Sequence, residues 1–398
     1  MPNKFEYIDL FSGCGGLSLG MHLASWKAKF AIEKNEDAFK TLSYNLIEKN
    51  CHFDWPNWLP VQAHDINEIL NIHKEELIKL KGTIKLVAGG PPCQGFSSAG
   101  KRNEKDARNK LVDSYLKFID LVEPEAIFFE NVKGFTMTFK TKSKKEKKYS
   151  EYVVKQLKKR KYRVSFRMVD FSEFGIPQKR NRFILFACKN KNPDAFFEYL
   201  YSGINSYLQS HNLSRYVGVK EAIADLEKQC GTIVCPDSKR FLSGTYGVAK
   251  SQYQKYCRKG IKKSANPDSH RFANHKKDTL KRFNELQNLN LRNKNLSDIL
   301  KDSYSVNKNC ICVLDENLPS PTITTHPDDH IHYSESRILT VREYARLQSF
   351  PDWYEFKGKY TTGGERRRVD VPRYTQIGNA IPPIFAEQVG IALEKFFM

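Results

Sequence analysis

Short apolar runs alternate with amphipathic stretches along the first 190 residues of the chain. The apolar runs are rich in β-branched and aromatic residues, and they predict strands at residues 5–11, 29–33, 84–90, 126–130, 162–170 and 182–188. Between them, apolar side chains recur every three or four positions, which predicts helices within residues 35–50, 66–80 and 110–123. This alternation is typical of a parallel sheet with crossover helices, so we predict an α/β, doubly wound, Rossmann-like domain.

The pattern changes after residue 190 and again near residue 330. Residues 191–330 mix polar, basic and aromatic positions without a clear alternation, which predicts a smaller, irregular domain. Residues 337–351 predict a strand that leads into a helix. Residues 376–397 predict a turn and then an amphipathic helix with Pro382 and Pro383 in its first turn. We therefore predict domains at 1–190 and 191–330, with residues 331–398 returning to the first domain.

The charge of the chain indicates a polyanionic partner. There are 65 Lys and Arg residues against 45 Asp and Glu residues, a net charge of +20, which favours nucleic acid ahead of an anionic membrane. No apolar run of about 18 residues and no signal-peptide pattern is present, so we expect a cytoplasmic protein without a membrane partner. Residues 138–163 hold 12 Lys and Arg residues against 2 Glu residues, as either a solvated surface or a phosphate-contacting edge.

The cysteines favour reduced thiols over a disulfide framework or a metal site. The chain has nine of them, an odd number, and they are scattered rather than closely spaced. No CxxC pair is present, and no histidine lies at zinc-finger spacing from them. We therefore expect no metal.

Glycines 13, 15 and 16 follow the first predicted strand and precede a helix, where backbone amides can approach a ligand. A dinucleotide fingerprint would place glycine where Ser18 stands, so a pyrophosphate is not the favoured ligand. Glu33 ends the second predicted strand, in the place of a ribose-binding carboxylate. Asp65 is expected at the end of a further short strand. These elements in this order favour an adenosine-type ligand that lacks a pyrophosphate.

Cys93 lies in the sequence VAGGPPCQGFSSAG, directly after the third predicted strand. The carboxyl edge of an open α/β sheet is where ligands bind, and the glycines and prolines impose an unusual path on this loop. A structural cysteine is more often found inside a helix or strand. We therefore favour a nucleophile over a packing residue or a metal ligand.

Polar residues at the ends of two further strands are expected near Cys93. Glu130 and Asn131 end the fourth predicted strand at the same edge, where a partly buried carboxyl suits a proton donor. Arg180 and Arg182 stand two apart at the start of the last predicted strand, so we expect both side chains to point to the same side there. Two guanidinium groups beside a thiol and a carboxyl suit an anionic or heterocyclic substrate, although each residue alone also fits a helix cap or a surface ion pair.

In their order along the chain, these motifs resemble those of the bacterial cytosine-5 DNA methyltransferases. The matching segments are DLFSGCGG (9–16), Glu33, Asp65, GGPPCQGFS (89–97), DARN (106–109), ENV (130–132), QKRNR (178–182), RILTVREYARLQSFP (337–351) and QIGNAIPP (376–383). The resemblance covers roughly residues 1–190 and 320–398. It implies an S-adenosylmethionine-dependent methyltransferase domain, with residues 191–330 as the target recognition domain.

The resemblance also implies a role for each matching residue. Cys93 would add to carbon 6 of a cytosine, Glu130 would hold or protonate its ring N3, Arg182 would bind its carbonyl oxygen, and Arg180 would bind a neighbouring phosphate. The implied S-adenosylmethionine contacts are Phe11, Gly13, Gly15, Glu33, Asp65, Pro92, Leu111 and Asn379. The implied DNA contacts are Gln94, Ser97 and Asn131, since a target base stacked in a duplex must first be flipped into the pocket.

Three functions remain open on the sequence alone. The favoured one is a sequence-specific methyltransferase acting on double-stranded DNA, a monomer that belongs to a restriction-modification system with or without a cognate endonuclease. A transfer RNA cytosine-5 methyltransferase would keep the same motifs, although the long 191–330 segment favours DNA, since reading base edges needs a dedicated surface. A non-catalytic DNA-binding relative is the third, and the intact Cys93, Glu130 and Arg182 disfavour it.

Overall fold

A computed structural model of the chain describes residues 5–92, 110–140, 146–304, 310–362, 366 and 370–398. The chain folds as two compact units. The first comprises Met1–Asp170, Asn181–Ile204 and Phe385–Met398, and the second comprises Phe171–Arg180 and Asn205–Ile384. The boundaries predicted at residues 190 and 330 separate functional regions rather than compact units, and they stay predictions.

Six strands of the described chain form the sheet of the first unit. They are β1 (Glu6–Leu10), β2 (Lys27–Ile32), β3 (Leu86–Gly89), β4 (Ala126–Val132), β5 (Arg163–Asp170) and β6 (Asn181–Cys188), in the spatial order β2-β1-β3-β4-β6-β5. The strands β1 to β4 pair in parallel, so their carboxyl ends meet at one edge. The doubly wound α/β fold and the six predicted strand positions are confirmed.

The expectation of a wholly parallel sheet is wrong at β6. This strand runs antiparallel to both of its neighbours, β4 and β5. Only residues 171–180 connect β5 to β6. A parallel return needs a crossover of about a dozen residues or more, usually a helix, so this short connection reverses the chain direction.

Helices flank the sheet, and their bounds refine the predicted ones. They are α1 (Gly16–Leu23), α2 (Glu36–Leu42), α3 (Ile66–Ile72), α4 (Lys74–Lys79), α5 (Lys110–Val122), α6 (Tyr149–Lys159) and α7 (Asp194–Ser210). The π-helical turn Ser43–Glu48 continues α2, and the predicted helix at 66–80 divides at His73. Two short strands, Phe139–Lys140 and Glu146–Lys147, pair between β4 and α6.

The core of the first unit lies between the sheet and these helices. The run Ala126–Phe129 of β4 is fully buried, as expected for a central strand covered on both faces. In α5, the buried positions recur at helical spacing, namely Val112, Tyr115, Leu116, Ile119 and Val122. This apolar stripe holds α5 against the sheet beside the carboxyl edge.

The second unit is built from short elements, as its mixed sequence indicates. Its hairpin pairs β7 (Thr232–Val234) with β8 (Leu242–Gly244), and two-residue pairings join Gln178–Lys179 to Ser320–Pro321 and Cys312–Val313 to His330–Ile331. Its helices are α8 (Val219–Ile223), α9 (Gln252–Cys257), α10 (Lys277–Asn288), α11 (Asp298–Ser303), α12 (Val341–Leu347) and α13 (Arg373–Asn379).

Two local predictions near the end of the chain need correction. No strand precedes α12 in the described structure, where Ile338 forms only an isolated bridge with Ile331. Instead, Thr340 caps α12 and exchanges hydrogen bonds with Glu343, a capping box that ends the extended segment. The segment predicted as a turn and then a helix, residues 376–397, begins inside α13, which ends at Asn379, and the turn follows before α14 starts at Pro383.

The last helix, α14 (Pro383–Phe397), begins at the second proline of the predicted Pro-Pro pair. Most of α14 belongs to the first unit. The indole of Trp26 donates a hydrogen bond of 3.0 Å to the carbonyl of Gly390, and the ring of Phe397 lies 5.5 Å from that of Phe5. A Cβ atom added at Gly390 would overlap the side chain of Ala24. The C-terminal helix therefore completes the packing around the first two strands.

Charged side chains are buried around α12 and are paired there. Arg346 binds Asp225 and Asp352, and all three side chains are fully buried. Arg337 makes two 2.7 Å hydrogen bonds to the carboxylate of Glu343. Removing one member of such a set leaves an uncompensated buried charge, so the set makes α12 sensitive to substitution.

Three buried histidines contact α12 and predict a loss of its stability in mild acid. His270 bonds Thr340 at 2.8 Å, His330 bonds Tyr344 at 3.1 Å, and the ring of His332 lies 3.7 Å from Glu343. Burial lowers the pKa of His270 and His330 to about 4 and that of His332 to about 3, from 6.5. Because the native pKa values lie below the unfolded one, the stabilisation is complete above pH 6.5. It falls toward pH 4 by about 1.4 kcal/mol per pH unit for each histidine.

We therefore expect the hydrogen-exchange protection of the α12 amides to fall between pH 7 and pH 5. Rates corrected for intrinsic exchange measure this locally, which separates α12 from groups that titrate in the first unit. The carboxylate of Glu343 does not contribute in this range, because its pKa is about 2 under the opposing effects of burial, which raises it, and Arg337, which lowers it. Protection that stays constant from pH 7 to pH 5 would contradict the prediction.

Candidate active site

The loop after β1 turns sharply at the carboxyl edge of the sheet. Phe11, Gly13 and Gly15 all have positive φ, at 58°, 56° and 88°. For a phenylalanine this backbone costs energy, so the surrounding contacts must hold it. One of these contacts is a 3.2 Å hydrogen bond from the amide of Ser12 to the carbonyl of Ile32. The loop therefore has a fixed shape, with Gly15 as the N-cap of α1.

Glu33 connects this loop to the end of β2. One carboxylate oxygen accepts a 2.9 Å hydrogen bond from the amide of Gly13, and the other accepts a 2.7 Å bond from the amide of Asn35. Burial raises the pKa of Glu33, and these backbone hydrogen bonds oppose the rise. A third backbone hydrogen bond comes from Lys34, and a carboxylate has about four acceptor sites, so Glu33 can still accept a hydrogen bond from a ligand.

Asp65 does not end a strand, so that expectation is wrong. It is the N-cap of α3, where it accepts a 2.8 Å hydrogen bond from the amide of Asn67. The amide of His64 donates to the carbonyl of Glu33, which places Asp65 next to the end of β2. Burial raises the pKa of Asp65, but the 2.8 Å contact with Lys34 and the cap hydrogen bonds lower it overall. The structure thus brings both predicted carboxylates to one edge.

A buried pair behind the loop was not found from the sequence. Asp9 in β1 is 1% exposed and accepts a 2.6 Å hydrogen bond from the hydroxyl of Ser18 in α1. Burial raises the pKa of Asp9 to about 7, the Ser18 hydrogen bond lowers it, and the charge of Glu33 raises it. The residue that breaks the dinucleotide pattern therefore anchors α1 to β1. The signal was a polar residue inside each of two otherwise apolar elements.

The first residues of the Cys93 loop are tightly constrained. Gly89 has a φ of 146°, and a Cβ atom there would overlap the carbonyl of Leu10. A Cβ atom at Gly90 would overlap the carbonyl of Glu130. The side-chain amide of Asn131 donates a 3.1 Å hydrogen bond to the carbonyl of Pro91. The start of this loop is therefore held between the ends of β1 and β4.

Glu130 and Arg182 form an ion pair at the same edge. The Nε atom of Arg182 lies 2.9 Å from Oε1 of Glu130, and the two side chains are 11% and 16% exposed. The antiparallel register of β4 and β6 places them together, with Val132 opposite Arg182. Burial lowers the pKa of Arg182, and the negative charge of Glu130 opposes this. The pair presents a carboxyl and a guanidinium group beside the beginning of the Cys93 loop.

Arg180 and Arg182 belong to different units, Arg180 to the second and Arg182 to the first. Arg180 is 2% exposed and donates a 2.7 Å hydrogen bond to the carbonyl of Gly378 in α13. Asn379, the next residue of α13, is exposed. The phosphate contact implied for Arg180 and the cofactor contact implied for Asn379 stay predictions.

The remaining predicted residues are placed as follows. Leu111 is half-buried at the start of α5 and packs against the core, and Pro92 is exposed. Asn131 is 3% exposed, and its amide group is engaged with Pro91, while its contact with DNA stays a prediction. Cys93, Gln94 and Ser97 lie outside the described residues.

Three further features of the described ranges bear on the class of protein. None of the helices there is long and apolar enough to cross a membrane. The cysteines of the described chain are all free thiols. Within the same ranges, no group of His, Cys, Asp and Glu side chains is arranged to hold a metal ion.

The fold is that of the Rossmann-like methyltransferases. A solved structure described as a DNA modification methyltransferase encoded within an E. coli prophage aligns with a TM-score of 0.66 at 23% identity, covering 99% of both chains. The Dnmt2 methyltransferase of S. pombe aligns with a TM-score of 0.53 at 16% identity, covering 100% of both chains. At these identities the likeness concerns the fold.

The chain belongs to the C-5 cytosine-specific DNA methylase family, whose model matches residues 5–395. It is accordingly a DNA (cytosine-5) methyltransferase, and the resemblance seen in the motifs is confirmed. It is 29% identical to the type II methyltransferase M.DdeI of Desulfomicrobium norvegicum, over 98% of this chain and 88% of that protein. It is 28% identical to the type II methyltransferase M.BspRI of Lysinibacillus sphaericus, over 99% and 82% of the two chains.

Proposed function

We propose that this enzyme methylates carbon 5 of a cytosine flipped out of duplex DNA, with S-adenosylmethionine as methyl donor and through a covalent bond to Cys93. The observation that carries the proposal is the Glu130–Arg182 pair beside the anchored start of the Cys93 loop. A hydrogen-bonding carboxyl and guanidinium group suit the N3 and carbonyl oxygen of a cytosine. The thiol would approach the same ring from the adjoining loop.

The edge at β1 and β2 fits the adenosine part of S-adenosylmethionine. Glu33 is oriented by the backbone amides of Gly13, Asn35 and Lys34 and keeps an acceptor site for a ribose hydroxyl. The hydroxyl of Ser12 is buried and has no hydrogen-bond partner among the described residues. Phe11 and Asp65 would contact the adenine ring and its amino group. When bound, this cofactor supplies an electrophilic methyl group.

The protein's own groups would activate the cytosine in three steps. The Cys93 thiolate adds to carbon 6 while Glu130 gives a proton to N3, which breaks the aromaticity of the ring and makes carbon 5 nucleophilic. Arg182 stabilises the charge that develops on the carbonyl oxygen. After carbon 5 has taken the methyl group, loss of its proton restores the double bond and expels the Cys93 thiolate, and N3 returns its proton to Glu130.

The net charge of +20 would supply phosphate affinity, and the second unit would read the bases. Since the two curated relatives described above are called type II methyltransferases, we place the enzyme in a restriction-modification system, with or without a cognate endonuclease. One active site acts on one flipped base, so a monomer suffices.

Substitution of Cys93 tests the covalent step. We expect Cys93→Ser to lose methyl transfer to duplex DNA by a factor of about 10³ or more, because a serine hydroxyl is a far weaker nucleophile than a thiolate. The measurement is transfer of labelled methyl groups from S-adenosylmethionine to genomic DNA, with bisulfite sequencing to locate the product. The matched control is Cys51→Ser, which changes an exposed thiol and should keep full activity.

Three further outcomes separate the alternatives. A duplex containing 5-fluorocytosine at the target should trap the wild type and the Cys51→Ser variant as a covalent adduct, but not Cys93→Ser. Equal labelling of DNA by the Cys93→Ser variant and the wild type would contradict the covalent mechanism. Labelling of transfer RNA in place of duplex DNA would move the substrate to RNA, and no transfer to either would support a non-catalytic relative.

A further inference from the structure

A basic groove runs along the outer side of the first unit, between α6 and the edge strand β5. It has a volume of about 540 Å³ and is lined by Ser150, Glu151, Val154, Lys155, Lys158, Lys159 and Phe166. Within the described sheet, β5 pairs with β6 alone and forms the outermost strand. The groove contains none of the residues assigned above to catalysis or cofactor binding.

The lysines of the groove are arranged to meet an anion. Lys155, Lys158 and Lys159 are exposed and stand at helical spacings of three and four, so they share one face of α6. None of the three pairs with a carboxylate in the described part of the chain. Glu151, the acidic residue of the lining, is paired with Lys148 at 3.1 Å. The face therefore carries positive charge that no carboxylate among the described residues compensates.

The floor of the groove is apolar and partly open. Phe166 is 48% exposed, although one side of its ring packs 5.4 Å from Phe183. Met168, two residues along the same strand, is 42% exposed. A solvated charged surface does not need an exposed ring beside its lysines, whereas sugar and base edges can contact such a floor while lysines bind phosphates.

The register of the sheet relates the groove to the catalytic edge. Phe166 lies opposite Leu185, which lies opposite Phe129, the residue before Glu130. Phe166 is thus two strands from β4, a separation of about 10 Å at the usual strand spacing. β5 is antiparallel to β6, which is antiparallel to β4, so β5 begins at the edge opposite the carboxyl end of β4. Three residues separate the end of α6 from the start of β5, so α6 runs toward that opposite edge and carries its three lysines there. A phosphate chain along α6 would therefore lead away from the catalytic edge.

We propose that this groove binds the phosphate backbone of duplex DNA that flanks the target cytosine. The proposal rests on the proposed function, because it assumes that DNA occupies the catalytic edge. The groove would add sequence-independent affinity outside the recognition sequence, since phosphate contacts position a protein without reading bases. It would take no part in the chemistry.

The test compares two variants that lose the same charge. The groove variant carries Lys155→Gln, Lys158→Gln and Lys159→Gln. The control carries Lys40→Gln, Lys74→Gln and Lys117→Gln, exposed lysines on other helices of the same unit. Affinity for a 40-base-pair duplex is measured against salt concentration. Each lost phosphate contact lowers the slope of log affinity against log salt by about 0.9, so the groove variant should lose about 2 to 3 from its slope while the control keeps it.

Duplex length provides the second readout. Once bisulfite sequencing has given the target, we expect the wild type to bind a duplex with long flanks more tightly than one with short flanks, and the groove variant to lose this difference. The turnover number of the groove variant on the short duplex should equal that of the wild type. The salt comparison needs no methyl transfer, so a failure of the proposed function would be seen separately.

Equal salt slopes for the groove and control variants would overturn the proposal. Loss of poly-glutamate binding by the groove variant, with DNA binding unchanged, would do so as well and would instead indicate a docking surface for an acidic polypeptide. A Phe166→Ala variant that weakens binding of long but not short duplexes would support contact along the floor.

Discussion

Replacing Glu130 by glutamine is expected to lower the rate of methyl transfer by about 10² to 10⁴, the usual contribution of a positioned proton donor. Glutamine has nearly the same shape as glutamate, and its carbonyl oxygen can still accept the hydrogen bond from Arg182. It cannot give a proton to N3 of the cytosine. The fold should therefore be kept, and single-turnover kinetics with saturating DNA and cofactor should show the loss in the chemical step.

The matched control is Glu125→Gln, just before the opposite end of β4. Glu125 forms an ion pair of 2.5 Å with Lys85, and both side chains are partly exposed. Such a pair contributes little to stability and lies at the edge away from the site, so activity should be unchanged. Trapping on 5-fluorocytosine should be slow for Glu130→Gln and normal for Glu125→Gln. Normal kinetics for Glu130→Gln would remove Glu130 from the mechanism.

The second large effect is expected on stability rather than on rate. Arg346→Met should destabilise the second unit by about 3 to 5 kcal/mol, because it removes the nearest partner of two buried carboxylates. Asp225 would be left with Arg258 at 3.4 Å, and Asp352 with Arg342 at 4.0 Å. Arg346 lies within 2.8 Å of both Asp225 and Asp352, and none of these side chains is exposed. Urea unfolding with hydrogen exchange at α8 and α12 would locate the loss.

Two further variants separate the buried charge from the volume of the side chain. Arg215→Met removes an exposed pair with Glu173 in the same unit and should cost less than about 1 kcal/mol. Combining Arg346→Met with Asp225→Asn and Asp352→Asn removes both buried carboxylate charges, while Arg342 keeps its 3.1 Å ion pair with Asp268, so part of the stability should return. If this triple variant is no more stable than Arg346→Met alone, the loss comes from packing and not from charge.

The strands of the first unit were predictable because their sequences are continuous apolar runs. The part of this run at 126–129 is fully buried, as expected for a strand that is covered on both faces. The direction of β6 was not predictable from its own residues, since parallel and antiparallel strands show the same run when both faces are covered. It follows instead from the short connection after β5, a feature of the chain between the strands.

The candidate site was predictable only in part, because its contacts depend on how separate elements meet. The sequence placed Glu130 and Arg182 at the ends of two strands, but their 2.9 Å contact depends on the register between β4 and β6. Asp65 follows a polar stretch and precedes an apolar helix, and a cap and a strand end both place a polar residue there. The Asp9–Ser18 hydrogen bond was missed because it joins β1 to α1, and the sequence of neither element indicates that these two side chains meet.

The return of α14 to the first unit has a consequence for how the enzyme is made in the cell. The ribosome delivers Phe5 and Trp26 early, whereas the helix that covers them is made only after the entire second unit. Until residues 385–398 have emerged, the aromatic surface around the first two strands is open to water and to other chains. A chain that stops before residue 385 therefore leaves this aromatic surface uncovered.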